Sequence, residues 1–212
     1  MALKRAGITF ILLIVAFAAL VALQVLVFAE AEDLAHILVR LFALYGYLFL
    51  GIAVLTTPFL KETIQAFGKP FLKIHHAFSI LGLVFVTLHP VFNAVDRLSL
   101  SVFVPNFASW DIFWLLAGRP AFFILYIALL AAVLRAKAPK YWQYFHGLMY
   151  VVLLFGIVHA NLIGDDFQNP WIMVMFNALF AAAIASFAIK RYRNYRQKNM
   201  VAVSKQEKTA SS

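Results

Sequence analysis

The sequence predicts an all-α protein, a six-helix transmembrane bundle with both termini in the cytoplasm. Three observations predict it. Six long apolar runs alternate with short polar segments. The lysines and arginines of those segments fall on every second loop. Only 13% of the residues are charged and 64% are hydrophobic, at a mean hydropathy of +0.88, which leaves too little polar surface to cover a soluble core.

The runs are Ile8–Phe28, Ile37–Pro58, Ile74–Val95, Pro120–Leu134, Phe145–Ile163 and Trp171–Ile189. At about 20 residues per crossing each is a span, although the fourth is short. Lys4 and Arg5 precede the first run as they would in a signal peptide, but its apolar length exceeds an h-region, so a retained span is expected. One set of loops carries Lys61, Lys69, Lys73, Arg135, Lys137 and Lys140, together with the two ends of the chain. The alternate set carries Glu30, Glu32, Asp33, Asp96, Asp111, Asp165 and Asp166 against Arg97 and Arg119. The basic set marks the cytoplasmic side, hence N-in and C-in. The net charge of +9 therefore reports membrane orientation and not a nucleic-acid partner. The chain is expected to be a multi-pass protein of a prokaryotic inner or plasma membrane.

Residues 1–195 make up the expected transmembrane domain, and residues 196–212 a disordered basic cytoplasmic tail. Residues 97–119 form a long outer connection, either an interfacial piece on the outer leaflet or a plain amphipathic connector. With no cysteine, disulfides, thiolate catalysis and cysteine-held iron–sulfur clusters are excluded.

Five of the six histidines lie in the third and fifth spans, and polar groups inside a membrane are costly. His75 and His89 are 14 residues apart and His146 and His159 are 13 apart, in two spans that must run in the same direction. At about 1.5 Å per residue each separation is about 20 Å, which sets His75 level with His146 and His89 level with His159. Imidazoles at matched depth on neighbouring helices are what axial ligation of haem iron requires. So the bundle is expected to hold haem between its third and fifth helices. Fourteen residues at about 100° return to nearly the same face, whereas thirteen leave His146 and His159 about 140° apart; local distortion at Gly156, with helix tilt for part of the rest, would absorb the difference. His76 competes with His75, which the angular argument favours. His36, at the outer lip of the second span, reads as interfacial.

The third span, IHHAFSILGLVFVTLH, and the fifth, YWQYFHGLMYVVLLFGIVH, resemble the ferric reductase-like transmembrane domain over roughly residues 36–190. That superfamily includes ferric reductases, NADPH oxidases and the haem-binding membrane subunit of the bacterial methionine sulfoxide reductase system. Trp142, Gln143 and His146 form its most specific motif together with the paired histidines. The resemblance implies haem b, two per chain with one as the alternative. His75 and His146 would ligate the inner haem, and His89 and His159 the outer. Arg40 resembles an arginine that holds a haem propionate in that family; snorkelling to outer head groups is its other reading. Members of the sulfoxide reductase type often carry arginines where this chain has His75 and His76.

The expected function is a b-type dihaem electron-transfer subunit, an oxidoreductase component. No glycine-rich phosphate loop is present, so the donor is expected to be a separate flavoprotein or a quinol. The acceptor on the outer side would be a ferric chelate, oxygen or a periplasmic redox protein, reached by outer-sphere transfer. The alternative is a non-redox transporter or sensor relaying protons through buried histidines. All nine Asp and Glu fall in loops or tails, which disfavours such a pathway.

Overall fold

The computed structural model describes residues 3–27 and 33–210. Phe28, Glu30 and Glu32 lie outside the described residues. Six helices are long and apolar enough to cross a membrane, and no strand occurs among the described residues. They are α1 (Arg5–Val27), α2 (Leu34–Leu55), α4 (Phe71–Asp96), the stretch Gly118–Ala136 that contains α6 (Gly118–Val133), the stretch Trp142–Ile163 that contains α7 (Trp142–His146) and α8 (Met149–Ile163), and α9 (Pro170–Ala210). The chain is a multi-pass integral membrane protein. Its two faces are named here by their loops, basic and acidic.

Local chemistry sets several ends. The Asp33 side chain accepts from the His36 backbone N–H at 2.8 Å and caps α2. Ser109 caps the short helix α5 (Trp110–Leu115) in the same way through the Ile112 N–H. Gly68, at φ 63°, ends the short helix α3 (Leu60–Phe67) in the left-handed conformation that costs glycine least. The sequence reads the stretch around α3 as loop, because eight residues are too few for a periodic signal.

Two expectations need correction. The fifth span breaks at Gly147 and Leu148, directly after His146, and not at Gly156. Gly156 instead admits the Tyr47 ring, to which an added Cβ would come within 3.1 Å. The residues beyond 195 are helical as far as Ala210, where a disordered tail is expected. No glycine or proline interrupts residues 171–210, so nothing in the backbone stops the helix once α9 is nucleated.

The long connection between α4 and α6 contains a 3-10 turn (Leu100–Phe103) and α5. Trp110, Phe113, Trp114 and Phe155 make one aromatic cluster, which seats α5 on α8. The core lies where α1, α2, α8 and α9 meet, around Val21, Leu44, Leu48, Ile157 and Phe176. α4 packs along α2, α2 along α8, and α8 along α6. The result is an arc of four helices whose ends, α4 and α6, face each other across a gap.

Candidate functional site

The arc is held to a close antiparallel register at α2 and α4. A Cβ on Gly46 would stand 2.7 Å from the Val86 backbone nitrogen, and one on Gly82 would stand 2.8 Å from that of Leu50. Only glycine at both positions lets the two backbones approach this far. That approach brings the histidines of α4 within reach of α2. His75 Nδ1 lies 3.2 Å from the Ala53 carbonyl and His89 Nδ1 3.0 Å from that of Val39.

The same arrangement recurs on the other arm. His146 Nδ1 lies 3.1 Å from the Ala128 carbonyl, and His159 Nδ1 lies 2.6 Å from that of Leu115. All four imidazoles thus donate Nδ1–H to a backbone carbonyl of the neighbouring element. This fixes the tautomer and leaves the Nε2 lone pair as the nitrogen that could accept a hydrogen bond or a metal. Tight turns make the second pair possible. Leu148 N–H bonds Phe145 O, and Tyr150 N–H bonds Gly147 O, both three residues back. Each residue so wound turns by about 120° and not about 100°, which closes part of the angular gap between His146 and His159.

Towards the basic face, the His75 and His146 rings stand 6.3 Å apart between centroids, at 78° to each other. Two imidazole nitrogens each about 2 Å from one shared metal ion place their ring centres about 6 Å apart, so this pair fits a bis-histidine iron. Phe71 stacks on His75 at 5.5 Å, and Trp142 lies 6.0 Å from His146. The Ser79 hydroxyl is 3.4 Å from His75 Nε2. His76 is exposed, with its ring 6.2 Å from that of His75. If haem binds here as the resemblance implies, His75→Ala should reduce it more than His76→Ala; the reverse result in an absorbance titration would transfer that role to His76.

Towards the acidic face, His89 and His159 line one cavity of about 340 Å³, within the range of small-molecule sites. Leu50, Val86, Ala121 and Val152 form its apolar depth. A Cβ at Gly118 would stand 3.1 Å from His159 Nε2, so glycine keeps room beside that nitrogen. The apolar depth, the glycine clearance and the donor set would suit a flat haem-type group.

Charged side chains ring that mouth. Arg40 grips Asp166 through two hydrogen bonds, at 3.0 and 2.6 Å, with both side chains nearly buried. Such a planar bidentate pair is among the strongest ionic contacts available to arginine. His36 Nε2 lies 3.5 Å from Asp165, so this histidine has a partner at the rim. Arg97 donates to Asn93 and Arg119 to the Val104 carbonyl. Arg40 thus meets a carboxylate that the sequence reading did not pair with it. Matching depth was the available signal, since both residues border the same face.

Among the described residues no three His, Cys, Asp or Glu gather as a bare metal ion would require. The histidines come together in twos. None of the family models, curated proteins or solved structures compared with the chain matches it. The resemblance to ferric reductase-like domains therefore stands on the motifs above alone.

Proposed function

We propose that the chain is a membrane electron-transfer subunit that binds haem b at two levels, with His75 and His146 towards the basic face and His89 and His159 towards the acidic face. One observation carries this reading: four imidazoles at two matched depths, each with Nδ1 committed to a backbone carbonyl and Nε2 left as a ligand. A histidine held only for packing would also satisfy Nδ1–H, but it would not need its other nitrogen kept clear beside a cavity, as His159 Nε2 is by Gly118. Haem, when bound, supplies a one-electron iron couple.

The residues of the chain do the rest. The carbonyls of Ala53, Val39, Ala128 and Leu115 orient the rings. Leu50, Val86 and Val152 keep water from the deep end of the cavity. Arg97 and Arg119 bring guanidinium donors to its mouth, where a carboxylate edge would be paired, while Arg40 is committed to Asp166. On this reading the basic face is cytoplasmic and meets a separate donor, a flavoprotein or a quinol. The opposite side serves an acceptor such as a ferric chelate, oxygen or a periplasmic redox protein, in a prokaryotic inner or plasma membrane.

The test is a pyridine haemochrome assay on the purified protein. Close to two haems b per chain are expected, with a low-spin spectrum. A value near one would confine the reading to a single pair, and no haem in protein purified from haem-replete cells would overturn it.

A further inference from the structure

At the basic face, α3 acts as a bracket between elements that are distant in sequence. Lys4 N–H bonds the Ala66 carbonyl at 3.0 Å, and Phe10 meets Phe67 edge-on at 5.8 Å, which ties the start of α1 to the end of α3. On the other side Arg193 of α9 donates to the Pro58 carbonyl at 2.7 Å and lies over the Phe59 ring at 5.2 Å. The same guanidinium reaches Glu62 at 3.5 Å. Glu62 is the only acid in residues 3–10, 56–76 and 187–197, and Arg193 engages it.

This bracket gathers Lys4, Arg5, Lys61, Lys69, Lys190 and Arg191, all exposed and none with a carboxylate partner among the described residues. Apolar and aromatic groups lie beside them. Leu60 and Ile64, one turn apart on α3, are 46% and 39% exposed. Tyr192 and Tyr195 on α9 are 62% and 65% exposed. Aromatic side chains of this kind favour the boundary between acyl chains and water.

We propose that this basic collar is a binding site for anionic phospholipid headgroups. Orienting the chain needs only positive charge on that side; it does not need the cations converged by α3 beside an apolar shelf. The shelf also decides between a lipid and an acidic soluble protein. A phospholipid offers a phosphate to the cations and acyl chains to Leu60 and Ile64, whereas a soluble partner would leave those chains uncovered or in water. The proposal is independent of the haem reading.

The test uses the full chain in nanodiscs of phosphatidylcholine containing a minor share of phosphatidylglycerol. Spin-labelled versions of each lipid report the fraction held at the protein surface. Phosphatidylglycerol is expected to be preferred about fivefold, roughly what one fully engaged cation contributes at a membrane surface. The preference should fall as salt rises. It should approach unity when Lys61, Lys69, Lys190 and Arg191 are changed to Gln, and persist when the three lysines are changed to Arg. No preference in the unaltered protein, or a preference that survives the Gln changes, would overturn the proposal. Should the Gln variant not fold, a preference indifferent to salt in the unaltered protein would overturn it equally. Salt-sensitive binding of polyglutamate without any lipid preference would assign the collar to an acidic protein instead.

Discussion

Changing His89 or His159 to alanine is expected to remove one and the same haem component, about half of the bound haem, while His146→Ala removes the other. The warrant is placement. His89 and His159 line one cavity, and the His146 ring lies 6.3 Å from that of His75 at the other level. If these histidines hold haem as proposed, each substitution would remove one of the two residues holding it, a larger loss than the 10–100-fold in affinity typical of removing a second-sphere partner. The measurement is a redox titration of each variant beside its haem content. If His89→Ala and His146→Ala lost the same midpoint component, the pairing by depth would be wrong. If all three variants kept full haem, the ligand assignment itself would fall.

The second large effect is expected at Gly82, far from any charge. In a free helix Gly→Ala is stabilising by about 1 kcal/mol. Here the new methyl would meet the Leu50 backbone nitrogen at 2.8 Å, a contact no side-chain rotation can relieve. Overpacking of this kind costs about 1–3 kcal/mol, so the clash outweighs the propensity gain. Gly82→Ala should lower stability, and Gly82→Leu should do so more severely. Both should also loosen haem, since pushing α4 from α2 lengthens the bonds from His75 to Ala53 and from His89 to Val39. Thermal unfolding in detergent reads the first effect and the absorbance spectrum the second. A Gly82→Ala protein as stable as the parent would show that the two helices have room to part without loss.

The six spans were legible because apolar length is a one-dimensional property of the chain; each helix differs from its run by only a few residues, save for the extension of α9. The two histidine levels were legible for a related reason, since rise per residue converts spacing into depth. What escaped was set by contacts. Asp166 lies 126 residues from Arg40, and nothing in either local sequence announces the pair. The carbonyls that orient the four rings belong to Ala, Val and Leu, whose side chains carry no polar signal. Gly147 was present to be read, but angular bookkeeping alone could not say whether Gly147 or Gly156 would absorb the mismatch. α3 escaped through brevity, and the continuation of α9 because polarity was taken for disorder where helix propensity remained high.

The arc of helices has a weak side. From α4 through α2 and α8 to α6 the neighbours are joined by packed side chains, but across the gap the described hydrogen bonding is that of Thr87 and Tyr126, at 2.8 Å, near the lipid surface. A hydroxyl pair is worth about 1 kcal/mol, little beside the packing of a helix interface. The molecule therefore has a seam: of the joints along the arc, the one between α4 and α6 would part most readily, and it is the side on which the interior lies nearest the lipid.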